Sequence, residues 1–427
     1  MPSELQFCIL FLFLLRFIIY EWLRRKNDAH VLQLSFKLPK EIVGIMTERE
    51  WGDCVEYNLA KSRFSRREEI TQFFIVIGML LFLVPWFFSQ FSEGATTSPW
   101  MATMLVSLFL IMLQLPDLLF DWFRQFELEE KFGFNQSSKK LWIADKIKGF
   151  FLGGIFLFLT LSCLEWTYFY LESGFPNTWW VFAFAIFWGI QLTMMILWPK
   201  FVIPLFNKLT PLEDGELKER LWNLADRTKF KAQAIEVIDG SKRSNHSNAY
   251  FTGFGKFRRI VLFDTLIQQM NIDQVEAVLA HEIGHYRLGH IPKRLFVSCL
   301  LGLAGFGLLS HLSESIWFYQ SLNIPLEHMG KLSPLILLFV LFLGAFTFFL
   351  VPVSNYFSRK HEYDADRFAS ISLGGGESLC SALRQLYREN KSFPCPHPWF
   401  SFFHHSHPSL IERQRSVNAI DYSKTGG

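Results

Sequence analysis

Seven long apolar stretches alternate with polar loops along the 427-residue chain. Each is long enough to cross a bilayer as a helix, since about 20 apolar residues span the hydrocarbon core. The stretches are residues 5–23, 70–91, 100–123, 150–171, 179–206, 295–312 and 335–357. The first does not resemble a signal peptide, because Arg16 interrupts it and no small-residue cleavage site follows. The pattern predicts an all-α polytopic membrane protein with seven transmembrane helices.

Between the fifth and sixth stretches the pattern becomes that of a soluble domain. Residues 212–228 have the spacing of an amphipathic helix, whereas residues 235–239 and 259–263 alternate as short strands do. Residues 247–253 are a third candidate strand, expected at a sheet edge. The predicted segments of the chain are 1–206, 207–294, 295–357 and 358–427.

The composition agrees with a membrane protein and disfavours other classes. Half of the residues are hydrophobic, 48 are Phe, and only 19% are charged. The net charge of +3 is too small to indicate nucleic-acid binding. The six cysteines form no CxxC pair, so neither a disulfide framework nor a thiolate metal site is predicted.

Lys and Arg are distributed unevenly among the loops. Ten lie in residues 24–67 and six in residues 124–148, whereas residues 92–99 and 172–178 contain none. Because basic loops stay in the cytosol, the amino terminus is expected outside and the carboxyl terminus inside. The polar segment before the sixth span and the carboxyl-terminal segment then share the cytosolic side.

Several polar residues interrupt the spans, where they are costly unless they face a partner or a watery cavity. Gln114 and Gln191 are two of them. For Arg16 and Asp117, a structural pair near a span end is expected as much as a position that faces a cavity. Glu165 is the better candidate for a cavity wall.

The strongest chemical signal is His281-Glu-Ile-Gly-His285, an HExxH motif. Apolar residues around it recur at three- and four-residue steps, which predicts a helix over residues 271–290. On that helix His281 and His285 share one face, and Glu282 lies about 100° round from His281. Two imidazoles and a carboxylate at this spacing suit a zinc ion and the general base of a metalloprotease.

A third metal ligand is expected from residues 207–294 or 358–427. His290 is one alternative, but on a continuous helix it would point away from His281. Glu362 and Asp366 are the stronger alternative, because residues four apart on a helix face the same way. One carboxylate would bind the metal and the other would orient a ligand histidine. The structural alternative is an exposed acidic pair that forms ion pairs with neighbouring basic residues.

Six stretches together resemble the type I CAAX prenyl proteases, a family of integral-membrane zinc metalloproteases. They are EEKFGFN at 129–135, SNAYF at 247–251, RIVLFDT at 259–265, HEIGH at 281–285 with LGH at 288–290, EYDAD at 362–366 and HPSLIER at 407–413. We therefore expect seven spans that enclose a cavity, with a zincin-like catalytic domain that contains a small β element. The resemblance implies one zinc ion per chain, held by His281, His285 and Glu362. It makes Glu282 the catalytic base.

Further residues match positions of the family that surround the metal and the substrate. Asp366 matches an acidic position that orients a ligand or donates a proton, so it is a second candidate catalytic residue. The substrate-binding candidates are Asn248, Ala249, Tyr250, His407 and Arg413. The first three would hold a substrate strand along a sheet edge, and the last two would lie near the oxyanion. From the residues alone, Asn248 is equally a turn residue, and His407 is a surface residue of a His-rich tail.

The resemblance implies a zinc metalloendopeptidase that cleaves carboxyl-terminal peptides from prenylated, CAAX-type substrates by zinc-activated water. A bacterial quality-control protease for membrane proteins, without a prenyl requirement, would use the same site. A non-catalytic scaffold with a structural metal is disfavoured, because structural zinc sites are usually closed by four protein ligands. Manganese or cobalt in place of zinc stays open.

The expected partners are membrane lipid and peptide or protein substrates, lipidated ones among them; neither nucleic acid nor an oligomer is implied. The outer loop between spans six and seven is short, and residues 422–427 carry no endoplasmic-reticulum retrieval signal. These departures from animal and yeast members favour a bacterial inner membrane. The endoplasmic reticulum is the alternative in a eukaryote.

Overall fold

The computed structural model describes residues 3–90, 98–253 and 258–422 of the chain. Two of the sequence features named above fall partly on other residues. The end of the second span with most of the loop at 92–99, and most of the tail at 422–427, lie outside the described residues.

Seven helical stretches among the described residues are long and apolar enough to cross a membrane. They are Glu4–Ser35, Glu48–Gln90, Pro99–Glu129, Lys139–Leu171, Trp179–Phe206, His290–Ser313 and Leu332–Ser372. Large apolar side chains on them are exposed, for example Phe82 at 71% and Phe296 at 65%, as on surfaces that face lipid. Each stretch overlaps one predicted span, so the prediction of a seven-span helical membrane protein is confirmed.

The helices are numbered in chain order. They are α1 (Glu4–Ser35), α2 (Glu48–Gly78), α3 (Val84–Gln90), α4 (Pro99–Leu113), α5 (Leu115–Phe123), α6 (Lys139–Leu171), α7 (Trp179–Leu197), α8 (Ile203–Phe206), α9 (Glu216–Arg227), α10 (Asp264–Gln269), α11 (Ile272–Arg287), α12 (His290–Ser313), α13 (Ile316–Ser321), α14 (Leu332–Ser372), α15 (Glu377–Glu389), α16 (Pro398–His404) and α17 (Leu410–Asn418). Wider π turns lie at Met79–Leu83, Arg124–Glu129 and Trp198–Val202. Short 3-10 turns lie at Gly240–Lys242 and Leu326–His328.

The segment before the sixth span folds around a four-stranded sheet in the order β1-β2-β4-β3. The strands are β1 (Leu209–Pro211), β2 (Ala234–Ile238), β3 (Ala249–Thr252) and β4 (Arg259–Phe263). β2 and β4 are parallel, whereas β3 pairs antiparallel with β4, with Ala249 opposite Leu262. β3 therefore lies at a sheet edge, as predicted. The pattern does not predict β1, because three residues carry no periodicity.

α11 packs between the sheet and the carboxyl-terminal helices. Asn271 caps its amino end with a capping box. Val275, Leu279 and Ile283 lie four residues apart on its buried face, and none is more than 1% exposed. The predicted helix is thus present, but it ends three residues earlier than its pattern suggests.

Three of the polar residues of the spans have side-chain partners in the protein. Arg16 and Asp117 are each paired with a residue of α2, which is the structural alternative for both. Glu165 accepts a hydrogen bond from Ser333 at 2.7 Å and is 6% exposed. Glu165 is therefore buried between α6 and α14 rather than exposed on a cavity wall.

Candidate active site

Three side chains of α11 and α14 converge at one point. His281 Nε2 and His285 Nε2 lie 3.1 Å apart. The two carboxylate oxygens of Glu362 complete the group, each 3.3 Å from one of these nitrogens. The structure thus brings together the three ligands that the family resemblance implies.

The chemistry of this group fits a zinc ion. Atoms about 2.0–2.2 Å from a tetrahedral zinc lie roughly 3.3–3.6 Å apart, close to the observed spacing. Glu362 Oε2 is buried and receives no hydrogen bond from the described residues. Two nitrogen lone pairs and an anionic oxygen that converge in a buried space repel one another unless a cation lies between them.

Asp366 and Arg413 hold His281 in this orientation. His281 Nδ1 lies 2.8 Å from Asp366 Oδ1, so the ring donates from Nδ1 and keeps Nε2 for a metal. Arg413 donates to both carboxylate oxygens of Asp366, at 2.8 and 2.5 Å. Asp366 is 1% exposed and lies on the far side of His281 from the other ligands. That position suits orientation of His281 rather than proton donation to a substrate.

The electrostatics of the site follow from burial and from these carboxylates. Burial by itself would lower the pKa of His281, but Asp366 and Glu362 raise it to about 9. Surroundings that favour a proton there also favour a metal cation. Burial raises the pKa of Glu282, and the neighbouring histidines oppose the rise. A raised carboxylate pKa suits a general base that works near neutral pH.

His285 is held by another histidine. Gly289 has a left-handed φ of 67°, which ends the path of α11 and starts α12 in a new direction. His290 Nδ1 lies 3.0 Å from His285 Nδ1, and the His290 ring stacks on His361 at 4.0 Å. His290 stands outside the ligand group. The sequence predicts this because His290 would point away from His281 on a continuous helix. That reason is wrong, since the helix is interrupted at Gly289.

Gly284 lets α11 and α14 approach closely enough for the three ligands to meet. A Cβ atom at Gly284 would lie 3.1 Å from both the Cα and the carbonyl oxygen of Ala365. Backbone atoms move aside less readily than a flexible side chain does, so this crossing favours glycine. The close approach brings Glu362, which lies almost one turn before Ala365, to the histidines of α11.

The ligand group lies between two cavities. The larger has a volume of about 1110 Å³ and is lined by the amino end of β3. The smaller has a volume of about 320 Å³ and is lined by the carboxyl end of the same strand. The residues shared by both cavities are His281, Glu282, Glu362, Ser406 and His407. A peptide that ran through both cavities would cross the ligand group beside Glu282.

One edge of β3, which pairs with no other described strand, borders these cavities. Phe263 N–H donates to the Asn248 carbonyl at 3.1 Å, which makes them a hydrogen-bonded pair of the antiparallel ladder. Because such pairs alternate, the backbone groups of Ala249 and Phe251 point away from β4. Asn248 Oδ1 accepts from Ala249 N–H at 2.8 Å, so its side chain covers one of these groups. The Tyr250 side chain lines the smaller cavity.

His407 and Arg413 differ in what they can reach. His407 Nε2 lies 3.3 Å from Glu362 Oε1, and its side chain is 61% exposed, so it can meet a molecule bound at the ligand group. Arg413 lines the larger cavity but is held by Asp366. Of the two, His407 is the stronger candidate for substrate contact.

Two family models together match almost the whole chain. Peptidase family M48 matches residues 211–421, and the CAAX prenyl protease N-terminal region, with five membrane helices, matches residues 28–208. The CAAX prenyl protease 1 of Saccharomyces cerevisiae is 40% identical over 325 residues, which cover 72% of this chain and 69% of the relative. The chain belongs to the CAAX prenyl protease family of M48 peptidases.

Other members of the family match this protease along nearly its full length. The CAAX prenyl protease 1 homolog of Arabidopsis thaliana is 33% identical over 90% of this chain and 91% of the relative. The crystal structure of Ste24p from S. mikatae superimposes with a TM-score of 0.85 at 32% identity, over 98% of this chain and 100% of that one. The resemblance seen in the sequence is thus confirmed. The chain is a membrane metalloprotease rather than a scaffold.

Sequence reasoning gives no role to Gly284 and does not find the contact between His290 and His285, although both shape the site of this protease. Gly284 lies in a helix interior, where glycine is costly unless close packing requires it, so its presence is a usable signal. His290 follows directly on Gly289, and a glycine at the end of a helical pattern signals a change of direction. That signal places His290 on a new element, but it does not show which residue His290 contacts.

Arg413→Ala is expected to destabilise the protease strongly. The change leaves the Asp366 carboxylate buried without its guanidinium partner, and breaking a buried ion pair costs about 3–5 kcal/mol. Thermal unfolding of the detergent-solubilised protein measures the loss as a lower Tm. Arg415→Ala is the matched control, because Arg415 is exposed two residues further along α17. Equal Tm values for the two variants would show that the buried pair contributes little.

His290→Ala is expected to weaken metal binding about 10–100-fold, the usual cost of losing the group that supports a metal ligand. The His285 ring then lacks the contact at Nδ1 that sets its tautomer and orientation. Competition with a zinc-binding dye measures the affinity. His311→Ala is the control, because His311 is exposed on the same helix. Unchanged affinity in His290→Ala would remove His290 from the site.

Proposed function

We propose that this protease cleaves peptide bonds near the carboxyl end of CAAX-type substrates, prenylated ones included. The observation that carries the proposal is the meeting of His281, His285 and Glu362 beside Glu282, where two cavities and a free strand edge adjoin. The relatives are named CAAX prenyl protease 1, which supports the substrate class.

In this proposal His281, His285 and Glu362 hold one zinc ion per chain. Bound zinc supplies Lewis acidity toward a water molecule and toward the scissile carbonyl. Glu282 lines both cavities, and its carboxylate makes no hydrogen bond to the described residues, so it is available to take a proton from the attacking water. Glu282 then returns that proton to the leaving amine.

Other residues bind and orient the substrate. The outward carbonyl of Ala249 and the outward backbone groups of Phe251 hold an added strand, as in other sheets that bind extended peptides, while the Ala249 N–H is covered by the Asn248 side chain. His407 donates a hydrogen bond to the carbonyl oxygen as negative charge develops there. Asp366 and Arg413 are positioning residues, because they act through the first ligand histidine.

The proposed orientation has the active site in the cytosol and the amino terminus on the other side of the membrane. The uneven distribution of Lys and Arg among the loops supports it. The ligands, the base and the strand edge all belong to one chain, so the chemistry requires no oligomer. The relatives named above come from yeasts and a plant, and the bacterial inner membrane stays a prediction.

Three fluorogenic substrates test the proposal with purified protein: a farnesylated CAAX peptide, its unlipidated form and an unrelated membrane segment. We expect the farnesylated peptide to be cut after its modified cysteine, as identified by mass spectrometry. A chelator should stop the reaction and zinc should restore it. Cleavage of the membrane segment but of neither CAAX peptide would favour the quality-control function. Failure of zinc to restore activity would overturn the metal assignment.

A further inference from the structure

The mechanism leaves the far end of the larger cavity without a role. We propose that this end binds the terminal carboxylate of the substrate through Lys61 and Lys391. The inference rests on the proposed function, because only a cut near the chain terminus brings that carboxylate into the cavity. Three residues follow the cysteine of a CAAX box, and in extended form they span roughly 10 Å. A cavity of about 1110 Å³ has room for them.

The direction of β3 decides which cavity receives the substrate terminus. β3 runs from the larger cavity, which its amino end lines, to the smaller one. An added strand pairs more stably when it runs antiparallel to its neighbour. The carboxyl end of the substrate would therefore pass Asn248 into the larger cavity. The remainder of the substrate would leave past Tyr250 and Arg294, which line the smaller cavity.

Two lysines line the larger cavity without a carboxylate partner among the described residues. The Lys61 ammonium lies 5.9 Å from the centre of the Tyr57 ring. The Lys391 ammonium donates to the Phe132 carbonyl at 3.0 Å. Each ammonium has three N–H donors, so both lysines keep donors for a ligand. Arg124 lines the same cavity but is held by Glu68 at 2.7 and 2.8 Å.

The loop ahead of β3 contacts the surroundings of Lys391. His246 Nδ1 lies 2.9 Å from Oδ1 of Asn390, the neighbour of Lys391. The His246 ring stacks on the Phe134 ring at 4.1 Å, and the Lys391 ammonium lies 5.4 Å from the centre of the Phe134 ring. Phe134 belongs to the turn at 129–135, a stretch of the family resemblance that the mechanism does not use. Glu129, the first residue of this stretch, lines the larger cavity.

The local charge favours an anion. Glu129 is the carboxylate that lines this end of the cavity. Tyr57 O–H donates to it at 2.9 Å, and His246 Nε2 lies 3.4 Å from it. Two ammonium groups against one carboxylate that already has partners leave the wall positive. A free carboxylate, which every chain terminus carries, forms strong charge-assisted hydrogen bonds to such groups.

Matched CAAX peptides that end in a free acid or an amide test the proposal with the full-length protein. The wild type should cleave the acid roughly 10-fold better, mainly through KM, since a hydrogen bond between charged groups is worth about that factor. Lys61→Met and Lys391→Met should each lower the acid-to-amide ratio, and the double variant should bring it near one. Lys131→Met is the control, because Lys131 belongs to the neighbouring turn at 129–135 but pairs with Glu56.

The ratio distinguishes lost binding from a damaged fold, because misfolding lowers both rates together. Lys61→Arg and Lys391→Arg keep the charge and should keep the preference for the acid. A wild-type ratio of one, or an unchanged ratio in the double Met variant, would overturn the carboxylate site and leave the proposed function intact. If neither peptide is cut in a Glu282-dependent way, the proposed function fails, and this inference fails with it.

Discussion

Glu282→Gln is expected to lower peptide cleavage by about 10²–10⁴-fold, the usual contribution of a general base. Glutamine keeps the shape of the side chain, but its amide is far too weak a base to take the proton from water. The metal should stay, because the variant leaves all three ligands unchanged. Cleavage of a farnesylated CAAX peptide and zinc content are measured on the same preparation.

Asp273→Asn is the matched control for this experiment. Asp273 lies in the first turn of α11, is 60% exposed and pairs with Arg220 at 2.6 Å. Its loss should leave both the rate and the zinc content near the wild-type values. A Glu282→Gln variant that keeps zinc and cleaves at the wild-type rate would exclude Glu282 as the base. Loss of zinc together with activity would indicate a structural role instead.

Glu362→Gln is expected to have the second large effect, on metal binding itself. The change replaces a carboxylate ligand with a neutral amide, which zinc sites in proteins rarely use. The zinc affinity should fall by more than about 100-fold, beyond the loss caused by removing a residue that only supports a ligand. Zinc should raise the Tm of the wild type much more than that of the variant, because a ligand stabilises the state that binds it.

Asp364→Asn separates this effect from a general loss of acidic charge. Asp364 lies two residues from Glu362 on α14, but its side chain is exposed, whereas Glu362 is buried. The control should therefore bind zinc as the wild type does. Full zinc occupancy in Glu362→Gln would show that the third ligand is a different residue. His290, which lies beside His285, would then be the first alternative to test.

The fold follows from the sequence wherever a local pattern records burial. The pattern predicts the spans because a helix in lipid must be apolar along its whole crossing. It predicts α11 because Val275, Leu279 and Ile283 recur on the face that packs inward. It predicts neither strand β1 nor the end of α11, because the strand is too short to show a period and the helix end depends on the conformation of Gly289.

For the candidate site, the sequence shows which two histidines share a helix face, because the spacing within one helix fixes that relation. It left the third ligand open between His290 and Glu362. The tertiary structure supports Glu362, because the close crossing at Gly284 brings its carboxylate to the two nitrogens and the turn at Gly289 places His290 at Nδ1 of His285, outside that group. Such distances depend on packing between residues far apart along the chain, and periodicity within one element does not record that packing.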